Sequence, residues 1–169
     1  MKKAKRHIYA IALGSNQPRS RILTPRKLVE QAIDRLSRKP FHALAASRIL
    51  DTPPLGQSRR RYANATMLIE TELAPDRLLK RLKRMEHKAG RRRSMRWAAR
   101  PLDLDIVLWS GGFWADDGLI IPHPAFRERD FVLAPLTQIA PGWRDPFSGR
   151  TISQLRACLK KARKKAEAG

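Results

Sequence analysis

The chain has 169 residues, 42% of them hydrophobic and 30% charged, a globular composition sized for one domain. No apolar run approaches the ~18 residues that cross a bilayer, which excludes a membrane-spanning helix, and a lone cysteine excludes an internal disulfide. The net charge is +21, with most of the excess in the first hundred residues, so the chain attracts polyanions: nucleic acid, membrane surfaces or phosphorylated small molecules.

Ile8 to Leu13 is short, apolar and partly β-branched, the pattern of a buried strand, and Gly14-Ser15-Asn16 after it reads as a turn. Thr24-Pro25 supplies a helix N-cap followed by proline at the first helical position. Leu28, Val29, Ala32, Ile33 and Leu36 then recur at helical spacing until Lys39-Pro40. A second strand is expected from Phe41 to Leu50. The prolines of Asp51-Thr-Pro-Pro-Leu-Gly56 exclude helix and central strand. Tyr62 to Leu73 is expected as a third strand.

Ala74-Pro75-Asp76 opens a second helix with Leu78, Leu79, Leu82 and Met85 on one face, ended by Ala89-Gly90. Residues 88 to 100 hold six basic side chains and no acidic one, which self-repel until an anion binds. Leu102 to Trp109 is the fourth strand. An apolar segment follows from Phe131 to Ile139. Thr151-Ile-Ser-Gln154 has the form of a capping box ahead of a last amphipathic helix, on which Cys158 is expected to pack as a small apolar side chain. The order β-α-β-β-α-β predicts an α+β, ferredoxin-like sheet with helices on one face and extra C-terminal helices. Residues 1–169 are expected as a single cytoplasmic domain with basic tails at both ends.

The sharpest motif is Arg100-Pro-Leu-Asp103-Leu-Asp105-Ile-Val. Strand alternation puts Asp103 and Asp105 on one face and Leu102, Leu104, Ile106 and Leu108 on the other, toward the core. Paired carboxylates repel and call for cations, and Mg²⁺ takes one or two carboxylates plus substrate phosphate oxygens. A solvent-facing edge or salt bridges to arginines would explain a bare D-x-D equally well. The adjacent Gly90–Arg100 arginine loop favours metal and phosphate, because guanidinium groups grip phosphate with paired hydrogen bonds. No G-x-x-x-x-G-K-[ST] stretch is present, which excludes a P-loop enzyme. Asn64 offers an amide donor and acceptor to a heterocycle edge, and Tyr62 and Phe131 offer rings for stacking.

Ala12-Leu-Gly-Ser-Asn16, Thr52-Pro-Pro-Leu-Gly56, Tyr62-Ala-Asn64, Glu86 before Gly90-Arg91, Arg96-Trp97, Arg100-Pro-Leu-Asp-Leu-Asp105-Ile, Pro122-His123 and Arg129-Asp-Phe131-Val-Leu-Ala-Pro-Leu136 occur in this order over residues 8 to 155. Together they resemble the 6-hydroxymethyl-7,8-dihydropterin pyrophosphokinase family. The resemblance implies transfer of pyrophosphate from ATP to the hydroxymethyl group of the pterin, with release of AMP, in folate biosynthesis. It implies two Mg²⁺ on Asp103 and Asp105. Arg91, Arg93, Trp97 and Arg100 would form the catalytic loop. Thr52, Pro53, Leu55, Tyr62, Asn64 and Phe131 would hold the pterin. Leu79, Glu86, Arg96, Ile106, His123 and Arg129 would hold ATP. The chain departs from the family at Trp97-Ala-Ala-Arg100, where Trp-Gly-Pro-Arg is usual. A nucleotide-binding paralogue without turnover and a basic nucleic-acid-binding module are the competing readings. The latter predicts paired strand aromatics and an aromatic RNA-binding run that the chain lacks. The expected partners are ATP and the pterin, with weak non-specific nucleic-acid binding, no membrane and a monomeric state.

Overall fold

The computed structural model describes residues 5–52, 61–90 and 101–168. Strand β1 (His7–Ser15) runs into helix α1 (Pro25–Leu36), followed by strands β2 (His42–Ala46), β3 (Leu50–Thr52) and β4 (Tyr62–Thr71). Helix α2 (Pro75–Lys88), strand β5 (Asp103–Trp109), a small hairpin of β6 (Trp114–Asp116) and β7 (Leu119–Ile121), a 3-10 turn (Phe126–Glu128), α3 (Asp130–Ile139) and α4 (Ile152–Glu167) complete the chain. The main sheet has the order β2-β4-β1-β5, with β3 on β4, and every pairing is antiparallel. This is the expected α+β, ferredoxin-like arrangement.

Local sequence accounts for the helix starts. The Thr24 side chain accepts from the Lys27 N–H with Pro25 at the first position, and Thr151 and Gln154 form a reciprocal capping box on α4. The apolar faces of α1 and α2 bury Val29, Ala32, Leu36, Leu78 and Leu82 against Tyr9, Ile11, Leu13, Met67 and Ile69. On the opposite face of the sheet, α3 and α4 bury Val132, Leu133, Leu136, Ile152 and Leu155 against Ala10 and Leu108. Central β1 therefore serves two cores, large side chains on one side and small ones on the other.

Four expectations are corrected. Gly14 and Ser15 belong to β1, which runs two residues beyond Leu13 because Gly14 and Ser15 still pair with Asn64 and Ala63. The strand expected from Phe41 to Leu50 is two strands; between them the Ser47 hydroxyl, not a backbone carbonyl, accepts the Thr66 N–H at 2.9 Å. Leu108 does not join Leu104 and Ile106. The β1–β5 register shifts between Ala10 and Ile11, leaving Val107 as an extra residue, and this bulge turns Leu108 to the α3 face. Cys158 is exposed, because the inward stripe of α4 runs through Ile152, Leu155 and Leu159 and position 158 lies to the side of it.

Candidate active site

The α3 side of the sheet carries a floor of small residues. Gly14 on β1 is registered with Asn64 on β4 and Asp103 on β5, and Ala12 with Thr66 and Asp105. Since side chains alternate, these six residues share the face opposite Leu13, Ile11 and Leu104. Strands lie ~4.8 Å apart, so Asn64 and Asp103 stand roughly 10 Å apart across a trough in which Gly14 presents no side chain. A Cβ on Gly14 would come 3.1 Å from the Asn64 Oδ1, so glycine is what lets the amide lie over β1. Asn64 is 5% exposed, and its Nδ2 donates to the Thr52 Oγ1 at 2.6 Å. Tyr62, half-buried and two residues before Asn64, shares its face by alternation and pairs with Thr52 in the β3–β4 ladder.

The far wall is the carboxylate pair, both members half-buried at the start of β5. Burial raises the Asp105 pKa above the ordinary carboxylate range, and the charge of Asp103 raises it further, against the pull of His123, Lys83 and Arg129. His123 Nε2 stands 3.9 Å from Asp105 Oδ2. Its ring is set by the backbone on both sides. The His123 N–H donates to the Val107 carbonyl at 3.0 Å, and Nδ1 accepts the Ala125 N–H at 3.2 Å. With Nδ1 accepting, the neutral imidazole keeps its proton on Nε2, facing the carboxylate. Burial lowers the His123 pKa, and Asp105 opposes that shift. At the N-terminus of α3, Phe131 packs on the second core, with the Arg129 guanidinium 5.7 Å from its ring centre.

The structure thus brings Thr52, Asn64, Tyr62, Asp103, Asp105, His123, Arg129 and Phe131 to one face. Leu79, Glu86 and Ile106 lie with α2 and the first core instead. Ile106 is 2% exposed beneath the sheet. Leu79 lines a cavity of about 470 Å³ with Lys80, Lys83, Arg84, His87 and Lys88. Glu86 is fully buried; its Oε1 accepts the Leu104 N–H at 2.8 Å and a bond from the Lys83 Nζ at 3.0 Å. Pro53, Leu55, Arg91, Arg93, Arg96, Trp97 and Arg100 fall outside the described residues. Sequence reading passed over the Ala12–Gly14 floor and over Lys83. The signal for the floor was present in Ala10, Ala12 and Gly14, small residues at alternate positions of a strand whose other face is large.

A family model described as 7,8-dihydro-6-hydroxymethylpterin-pyrophosphokinase matches residues 10–141. The chain is 40% identical over 132 residues to the 2-amino-4-hydroxy-6-hydroxymethyldihydropteridine pyrophosphokinase of Haemophilus influenzae, covering 77% of this chain and 79% of the relative. It is 38% identical over 149 residues to the enzyme of the same name from Pseudomonas aeruginosa, covering 87% of this chain and 88% of the relative. Among solved structures, the Plasmodium falciparum HPPK-DHPS crystallised with pteroate superposes with a TM-score of 0.72 at 13% identity, over 100% of this chain and 45% of that longer one. At that identity the match speaks for the fold alone.

Proposed function

The chain belongs to the 7,8-dihydro-6-hydroxymethylpterin-pyrophosphokinase family, and from that premise we propose that it transfers the β,γ-pyrophosphate of ATP to the hydroxymethyl oxygen of 6-hydroxymethyl-7,8-dihydropterin. The O–H proton is lost, an oxygen–Pβ bond forms, the bond from Pβ to the α-phosphate oxygen breaks, and AMP leaves. The observation that carries the reading is the row Asn64–Gly14–Asp103, which sets an amide that can read a heterocycle edge opposite a carboxylate pair across one trough.

The donor set fits Mg²⁺. Asp103 and Asp105 are hard oxygen ligands, and burial with mutual repulsion makes them favour a bound cation. Among the described residues no group of three or more His, Cys, Asp and Glu could cage an ion, so phosphate and water oxygens would complete the shell. Bound Mg²⁺, two ions in our reading, would neutralise phosphate charge as it builds at the transition state.

Asn64 and Thr52 would hold the pterin edge by hydrogen bonds, and Tyr62 and Phe131 would stack on its ring. The His123 Nε2–H and the Arg129 guanidinium would face phosphate oxygens beside Asp105, as would Arg91, Arg93, Arg96 and Arg100 of the arginine loop, with Trp97 in that loop. Leu79 and Ile106 would border the adenine, and Glu86 would lie near the nucleotide. Pro53 and Leu55 would line the pterin pocket. No helix among the described residues is long and apolar enough to cross a membrane. We further propose that the protein acts as a cytoplasmic monomer.

Chromatography of the reaction products tests the reading. AMP that forms only with both pterin and Mg²⁺ present supports it. ADP, or ATP bound without any product, overturns it.

A further inference from the structure

Helix α4 outruns the core that it covers. Ile152 and Leu155 are buried and Leu159 is half-buried, but from residue 160 to 168 every side chain is exposed. This distal segment carries Lys160, Lys161, Arg163, Lys164 and Lys165 against a single acid, Glu167. Residues 101 to 159 hold five basic and seven acidic side chains, so the positive excess of this third of the chain sits wholly on the unpacked turns. Lys160 with Lys164 and Lys161 with Lys165 are like-charge pairs at i,i+4 spacing, which weaken a helix. The helix dipole favours cations in the last turn, which accounts for Lys164 and Lys165 but not for the pair a turn earlier. Among the described residues, Arg163 donates to the Glu128 carbonyl at 3.3 Å, while the four lysines make no ion pair. A concentrated, unneutralised cation array on turns that bury nothing is a surface suited to a polyanion.

The chemistry of the segment narrows the partner. A helix that lies on a membrane needs a broad apolar face, and this segment has only Ala162, Ala166 and Ala168. A protein interface needs an aromatic or aliphatic anchor at its centre, and none is present in the segment. There is no aromatic ring to stack on a base and no amide side chain to read a base edge. What remains is a row of ammonium point charges, which recognise phosphates without regard to sequence. We propose that the distal half of α4, Lys160 to Lys165, docks the phosphate backbone of nucleic acid in a sequence-independent manner.

Fluorescence anisotropy with short labelled RNA and DNA duplexes of two unrelated sequences tests this on the full chain. One variant is Lys160→Gln/Lys161→Gln/Lys164→Gln/Lys165→Gln, since glutamine keeps helix propensity. A control removes the same charge from exposed positions elsewhere: Lys5→Gln/Lys27→Gln/Arg35→Gln/Lys39→Gln. The parent chain should bind both sequences alike, with affinity falling steeply between about 50 and 200 mM salt. The α4 variant should lose about tenfold or more at the lower salt, with a salt slope shallower by up to about 3.6, at ~0.9 per lost phosphate contact. The control should lose about twofold. AMP formation by the α4 variant should match the parent, which shows it folded. Equal losses in the two variants would overturn the assignment to α4. So would a sequence preference, tighter binding to anionic phosphatidylserine vesicles than to either duplex, or no binding at all.

Discussion

The two faces of the main sheet are built from the same strands to opposite rules. Under α1 and α2, Tyr9, Ile11, Leu13, Met67, Ile69 and Leu104 are at most 2% exposed and interlock as a continuous apolar layer. On the other face the same strands present Ala10, Ala12, Gly14, Asn64, Thr66, Asp103 and Asp105. Part of that face is closed by α3 and α4, and the rest carries the polar row of Asn64, Gly14, Asp103 and Asp105, with the two carboxylates half-buried. The closed part depends on ion pairs as well as apolar contacts: Arg127 grips the fully buried Asp145 through two bonds at 2.6 and 2.8 Å, and Arg156 meets Asp130 at 3.0 Å. One face stores stability. The other gives some of it up to hold polar groups where a substrate can reach them.

Substitutions that fall on one face only should break the comparison cleanly. Asp105→Ala, or Asp103→Ala, should cut AMP formation by about a thousandfold or more, several kcal/mol of lost charge stabilisation. The melting temperature should hold or rise, because the mutual repulsion is relieved. Near-normal turnover with Mg²⁺ would remove the pair from the mechanism.

Asp145→Asn tests the ion-paired part. It should cost about 3 kcal/mol in denaturant unfolding, the low end for a buried pair because Arg127 keeps some contact with water. Burial alone would raise the Asp145 pKa, but bonds from Arg127, Ser148 and the Phe147 N–H bring it down to about 2. A depressed carboxylate stabilises the fold above its unfolded pKa of ~3.9 and loses that contribution as pH falls through the folded value. The parent should therefore shed about 2–3 kcal/mol progressively between roughly pH 5 and 1, and the variant should not show that loss.

On the storing face, Leu82→Ala should cost about 2–5 kcal/mol through a cavity, while turnover per folded molecule stays near that of the parent. The smallest effect is expected at the floor. Gly14→Ala should push on the Asn64 amide and weaken pterin binding about tenfold, the range of one poorly made amide bond, with ATP binding unchanged by calorimetry.

What the sequence made readable was local. Thr24-Pro25 and Thr151 through Gln154 start helices by bonds within one turn, and the D-x-D face follows from strand alternation alone. The features that stayed hidden depend on partners far along the chain. The bulge at Val107 arises from how β5 pairs with β1, so alternation placed Leu108 on the wrong face. Ser47 breaks the second strand because its hydroxyl finds Thr66. Gly14 read as a turn because its value lies in leaving room for Asn64 across the ladder. The Phe131–Ile139 segment is apolar nearly all round since it is sandwiched between sheet and α4, which blurs the 3.6-residue period. Cys158 is flanked by the apolar Ala157 and Leu159, but the inward stripe of α4 passes through Leu155 and Leu159 and leaves it outside. The arginine loop lies outside the described residues.

Strand β5 borders the sheet, and an open border invites a second chain to add itself as another strand. Here two outward backbone groups are already spoken for. Glu86 takes the Leu104 N–H from the side of α2, and the His123 N–H takes the Val107 carbonyl from the segment after β7. The same two bonds hold the carboxylate strand and the imidazole beside it. A buried carboxylate and one amide thus take up two of the backbone groups that this edge would otherwise offer to a further strand, so the bonds that position the site also blunt the border.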